Sequence, residues 1–306
     1  MLRFLLCKAQ SVASGFALFG GGAVSSSNTN TTEKYSFQTN SISAGSNLGT
    51  ARKNPTATGN TNLGIFGGGY TTGVVGVTDK YTYSSELVTA GTSLIQARYI
   101  LASTSNLTVA IFGGGYAFAG SSGFGVTTTE KYTYSTDSIA TSTNLNSGTK
   151  RNHLAGVGNL TFGLFGGGYI YAVGRSTYVD KYTYSGDVVS TGTSLVSARQ
   201  ALAATGNSDV GIFGGGNDNA NNASQVTDIY LYSTNSVSSG TNLITGRQAF
   251  AAAGNSTVGI FGAGGVPSAT NTTEKYLYSS NSVSFGSSLA NSRSDHGASS
   301  SQPGHL

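Results

Sequence analysis

The chain has one cysteine, no tryptophan and little charge: Asp, Glu, Lys and Arg together make up 9% of its 306 residues. Each scarcity excludes something. A lone Cys7 permits neither an internal disulfide nor a cysteine-based zinc cluster. The Lys and Arg residues give a formal net charge of +4 but form no cluster. A surface that tracks phosphates needs several positive charges on one face, so nucleic acid is not an expected partner. No apolar run approaches the roughly 20 residues of a helical membrane span. The three histidines, His153, His296 and His305, stand at no ligand spacing. No metal or other cofactor is expected.

Glycine is abundant, at 45 residues, and Ser, Thr and Asn fill much of the remainder. Aromatics at 10% argue against disorder. The glycines recur in one setting: LFGGGA at 18–23, IFGGGY at 65–70 and 111–116, LFGGGY at 164–169, IFGGGN at 212–217 and IFGAGG at 260–265. A phosphate-cradling loop would place a helix after the glycines. Here a Tyr or Asn and a Thr/Ser-rich loop follow, then another β-prone stretch, so the glycines form a structural corner.

Around that corner a unit repeats. An Arg comes first, then a small-apolar run and a turn, then the glycine corner. A variable stretch follows, then an acid with a Tyr pair (TDKYTYS at 78–84), then a segment such as DVVSTGTSL at 187–195. From Arg52 to Arg293 the Arg-to-Arg steps are 46, 53, 48, 48 and 46 residues. Arg3 opens the first unit, which accounts for MLRFLLCKAQ better than a secretory signal does: its apolar run FLLC is too short for a signal core. KYTYS alternates with a period of two, and nothing keeps a helical period for long. Four short strands per unit and six units predict an all-β chain, a six-bladed β-propeller of four-stranded antiparallel blades.

The ordered pattern of Arg, apolar strand, hydrophobic strand ending in Gly-Gly, and acid–Tyr strand resembles the kelch repeat. The resemblance runs from residue 3 to about 293 and implies one domain, 1–293, with units starting near 3, 52, 98, 151, 199 and 247. Residues 294–306 then read as a polar C-terminal tail, with a degenerate start of a seventh unit from Arg293 as the alternative. The last fourth strand ends near Leu289, so the ring is expected to close without exchanging a strand. Kelch repeats usually carry a Trp on the fourth strand. This chain has none, and Gly-Thr-x-Leu or Gly-Ser-x-Leu stands there.

Each unit carries one acid before its Tyr strand: Glu33, Asp79, Glu130, Asp180, Asp228 and Glu274. In five units an Arg follows 19 residues later, pairing Glu33 with Arg52, Asp79 with Arg98, Asp180 with Arg199, Asp228 with Arg247 and Glu274 with Arg293. Glu130 reaches Arg151 after 21 residues. These are expected as structural salt bridges, one per blade, since a ligand site on a pseudo-symmetric ring departs from the repeat. The oxygen-rich run 217–222 has a single carboxylate and reads as a polar turn.

Loops on a rigid scaffold carry function. The loops after the glycine corners vary most, and antiparallel blades bring them to one rim with the Arg-flanking loops. Tyr70, Tyr116, Phe118, Phe124, Tyr169, Tyr171, Arg175, Tyr178 and Asn217 are the candidate ligand-binding residues. Aromatics among Asn, Ser and Thr suit a glycan or a protein partner. The expected function is a non-catalytic binding or structural module. The Thr/Ser/Asn/Gly-rich, charge-poor composition is similar to phage-virion components, such as tail proteins, and to microbial-surface adhesins. That favours a virion or extracellular, cell-surface location and a place in a larger assembly. The alternative, a carbohydrate-active enzyme on the same rim, requires an off-repeat cluster of carboxylates or histidines, and the sequence has none.

Overall fold

The computed structural model describes residues 15–119, 122–145, 150–266 and 268–304. The strand expected after Arg3 lies outside them. The described residues contain no helix, hence none long and apolar enough to cross a membrane. They form six four-stranded antiparallel sheets, a propeller-like all-β arrangement.

Leu63–Gly67 is representative of the second strands. Ile65 and Phe66 point to opposite faces and both are fully buried. A short continuous apolar run between glycines is what a strand covered on both faces needs. It pairs with Thr56–Gly59 on one side and Thr78–Thr82 on the other, and Leu87–Gly91 completes the sheet as its exposed outer edge. The first strands are built from small residues and lie beside one another: Thr56–Gly59 neighbours Ala102–Ser105, which neighbours Ala155–Gly158, and so on to Ala251–Gly254.

The glycine corner explains how the sheets pack. A Cβ on the first glycine of each corner would meet the second-strand Phe ring of the following sheet: 2.7 Å between Gly67 and Phe112, 2.5 Å between Gly166 and Phe213, and 2.7 Å between Gly262 and Phe19. The Phe-Gly pair is thus a knob and its seat. The next two residues turn the chain through the left-handed region, with φ of 68° and 117° at Gly68 and Gly69, which glycine adopts without steric cost. Gly166→Ala leaves the backbone undisturbed and forces the Phe213 ring to move. Overpacking of this kind costs about 1–3 kcal/mol, read as a lower urea midpoint with an unchanged slope.

Two expectations are corrected. The first is the polar tail at 294–306. Gly297–Ser300 is the first strand of the sheet that contains Phe16–Gly20, pairing Phe19 with Ala298 and Gly20 with Gly297, so a C-terminal strand is exchanged into the N-terminal sheet where no exchange was expected. It lies between Ala251–Gly254 and Thr56–Gly59. The spacing accounts for this: Gly297 follows Arg293 by the same four residues that separate Thr56 from Arg52. Pro303 and Gly304 beyond it are also buried.

The second correction concerns the partners of the salt bridges. Each Arg pairs with the acid that follows it, one unit later than expected. Arg52 Nη1 lies 2.5 Å from Asp79 Oδ2, Arg98 Nη2 2.9 Å from Glu130 Oε1 and Arg151 Nη2 2.5 Å from Asp180 Oδ2. Arg199 pairs with Asp228. Arg247 lies 2.5 Å from Glu274, and Arg293 2.6 Å from Glu33 across 260 residues. The reason lies in where the guanidinium enters. Arg52 stands just before its own first strand and donates to the carbonyls of Phe66 and Gly68 at the end of the second. Phe66 is the register partner of Asp79, so that acid is the one within reach. The constant 19-residue spacing reflects a fixed chain length, not a contact. The carboxylates also accept backbone N–H groups from the loop leaving the previous sheet, such as Gly49 to Asp79 and Ile95 and Gln96 to Glu130. All six Arg side chains are fully buried. Burial lowers the pKa of Arg199 and raises that of Asp228 against their mutual attraction, as expected where desolvation rivals the Coulombic gain.

Candidate binding face

The residue after each Arg pairs antiparallel with the residue after each glycine corner. The pairs are Lys53 with Tyr70, Tyr99 with Tyr116, Asn152 with Tyr169, Gln200 with Asn217, Gln248 with Gly265 and Ser294 with Ala23. This brings the variable loops and the Arg-flanking loops to one face. The second residue after each Arg is left-handed: Asn54, Ile100, His153, Ala201, Ala249 and Asp295 have φ between 49° and 55°. Their amides link one unit to the next, with His153 N–H donating to Ile100 O, Ala201 to His153, Ala249 to Ala201, Asp295 to Ala249 and Asn54 to Asp295. That chain of bonds holds even Ile100, a β-branched residue that seldom adopts this backbone. Backbone positions on this face are therefore set by the repeat, while the side chains are free to differ.

The side chains differ in a graded way. Over the second, third and fourth units the face is aromatic. The Tyr99 ring lies 5.6 Å from Tyr70 and 5.8 Å from Tyr116, and Tyr116 lies 5.6 Å from Phe118. Lys53 sits over the Tyr70 ring at 5.4 Å. Beside this ladder is a cleft of about 460 Å³ lined by Tyr99, Tyr116, Tyr169, His153, Arg175 and Gln200, among others. Arg175 donates to Asn217 Oδ1 and, at 2.5 Å, to Asn221 Oδ1, tying the fourth unit's loop to the fifth's. His153 Nδ1 lies 2.8 Å from Asn152 Oδ1, and burial lowers the His153 pKa to about 4. Burial also raises the Tyr99 hydroxyl pKa. Over the sixth and first units the aromatics are missing. A cleft of about 580 Å³ there is lined by small residues such as Ser25, Ser26 and Ser268.

Of the residues expected on the rim, the structure brings Tyr116, Tyr169 and Arg175 into one cleft. Tyr70 and Phe118 belong to the ladder that flanks it. Phe124 packs instead under Lys150, whose ammonium is 5.3 Å from the ring. Tyr171 and Tyr178 are 80% and 46% exposed and are not among the cleft's lining residues. Asn217 is 6% exposed and is engaged by Arg175 and by its bridge to Gln200. Tyr99, Asn152, His153 and Gln200 were missed because they follow the repeated Arg and look like scaffold. The signal was their position: the two residues after the Arg are the ones the repeat leaves unspecified. No protein-family model matches the chain, and no curated protein is similar to it.

Proposed function

We propose that the chain is a six-bladed propeller of the kelch type, completed by Gly297–Ser300 in its first blade, and that it is a non-catalytic binding module. Its ligand, a glycan or the surface of a protein neighbour, lies in the Tyr99–Tyr116–Tyr169 cleft. The observation that carries this reading is the coincidence of the largest departures from the repeat with a cleft of ligand size. Pockets for small ligands run to about 300–1,000 Å³, with aromatic walls and a few placed polar groups, and the 460 Å³ cleft falls within that range. Tyr rings offer apolar faces with a polar edge, and Arg175, Gln200 and Asn221 supply donors and acceptors at the rim. The charge-poor, Thr/Ser/Asn/Gly-rich composition fits a virion or cell-surface component.

A glycan array combined with a pull-down from candidate host surfaces, using wild type and Tyr169→Ala/Arg175→Ala, tests this. The double variant should lose at least tenfold in affinity for whatever the wild type captures. A folded double variant that binds unchanged rules out the cleft.

A further inference from the structure

At the centre of the same face, next to the cleft, is a small cavity of about 80 Å³. It shares Ile100 and His153 with the aromatic cleft and Asp295 with the opposite one. Its floor is mostly apolar: the third residue after each Arg is Pro55, Leu101, Leu154, Leu202 or Phe250, each buried. In the last unit that position is His296. It is 5% exposed and packs 5.9 Å from the Phe19 ring; neither ring nitrogen makes a hydrogen bond of good geometry, the Gly262 carbonyl and the charges of Arg293 and Arg247 being the polar groups that act on it. A buried polar group without a partner costs free energy unless something satisfies it.

Its neighbours deepen the anomaly. Asp295, next in the wall, stands where Ala201 and Ala249 stand in other units. Burial raises its carboxyl pKa, opposed by a hydrogen bond from Ser294 and by the charge of Lys53. Asn54 and His153 complete the polar lining, and a His153 that donates through Nδ1 to Asn152 keeps Nε2 as an acceptor. The cavity is thus rich in acceptors and carries one carboxylate. Among the described residues no group of three or more His, Cys, Asp or Glu is close enough to hold a metal ion. A ligand that brings several N–H donors and one positive charge fits better.

We propose that this central cavity is a subsite for a protonated primary amine carried by a ligand whose body lies in the Tyr99–Tyr116–Tyr169 cleft. Asp295 provides the counter-charge, and His296 and Asn54 accept the remaining N–H groups. This rests on the cleft reading above. An amino sugar and a lysine side chain present the same chemistry.

The test uses the full chain at pH 6 and calorimetry with four probes: a glucosamine trimer, its fully N-acetylated form, a Gly-Lys-Gly peptide and its Nε-acetylated form. At least one free amine should bind at least tenfold more tightly than its acetylated partner. The amine that does so identifies the source. Asp295→Asn and His296→Leu should each erase that preference. His296→Leu restores the residue type of the other units and is expected to fold. Equal binding of free and acetylated probes, or a preference that survives in Asp295→Asn, overturns the proposal. Tyr116→Ala/Tyr169→Ala separates the two readings. Equal weakening of free and acetylated forms supports the cleft. Unchanged binding with the amine preference intact refutes the cleft and leaves the central site standing.

Discussion

Arg293→Ala should lower stability by about 3–5 kcal/mol, the cost of stranding one partner of a buried ion pair. Arg293 is fully buried and its guanidinium is held by Glu33 and by the carbonyls of Gly21 and Thr31. Removing it leaves the Glu33 carboxylate buried, with only the amides of Ala290 and Asn291 and the Asn291 side chain as donors. The same loss is expected at any of the six pairs, but this one joins residues 260 apart and holds the final strand in place. Amide exchange at Gly297–Ser300 should therefore accelerate in Arg293→Ala far more than in Arg199→Ala. Replacing both partners with apolar residues, Arg293→Met with Glu33→Leu, should recover much of the loss, because such replacements of buried pairs are often neutral. Urea unfolding of the three variants checks the series.

Acid should destabilise the fold from about pH 6.5 downward, well before most carboxylates titrate. Burial, with the charges of Arg293 and Arg247, lowers the His296 pKa to about 3, and the Gly262 carbonyl opposes them. Of its neighbours, the Phe19 ring carries no charge, and the Asp295 carboxylate in the same cavity wall, where ionised, acts against that lowering. An unfolded chain protonates this histidine near pH 6.5 while the folded chain does not, so the folded state loses ground as pH falls through that window. Integrated from pH 6.5 to 3, the effect of His296 is roughly 4–5 kcal/mol. His153, lowered to about 4, acts in the same direction. Asp295 acts in the opposite one: its raised carboxyl gains a proton in the folded state first, which offsets part of the loss once pH reaches the carboxylate range. His296→Leu should flatten the stability curve between pH 6.5 and 4.5. A curve as steep as that of the wild type would place the acid response elsewhere.

The elements legible in the sequence are those the repeat specifies locally. The aliphatic-Gly-aliphatic-Phe-Gly run is a second strand wherever it occurs, since few other structures bury such a run on both faces. The Phe-Gly seat between neighbouring sheets was not legible, because it joins residues far apart in the chain, such as Gly113 with Phe165 and Gly262 with Phe19. The Arg and acid positions were legible as pairs, but their partners were assigned by chain distance. The carbonyls of Phe66 and Gly68, invisible in the sequence, decide which acid each Arg meets. Gly297–Ser300 is ambiguous in the sequence, a tail or the start of a further unit, because Gly-Ala-Ser-Ser is polar and no glycine corner follows it. Its spacing from Arg293 carried the information. On the face, aromatic loop residues were legible and Tyr99, His153 and His296 were not, because a departure from a repeat is recognisable only once the obedient positions are known.

On the proposed function, residues that obey the repeat build the scaffold and those that depart from it bind the ligand. Tyr99→Gln/Tyr116→Asn/Tyr169→Asn gives the third unit the fifth unit's residues at both positions and the fourth unit the fifth's Asn after the glycine corner. Binding of this variant to the wild-type ligand, measured beside its urea unfolding curve, separates the two roles. The prediction is cooperative unfolding with affinity reduced at least tenfold. A variant that unfolds cooperatively and binds as the wild type does would contradict it.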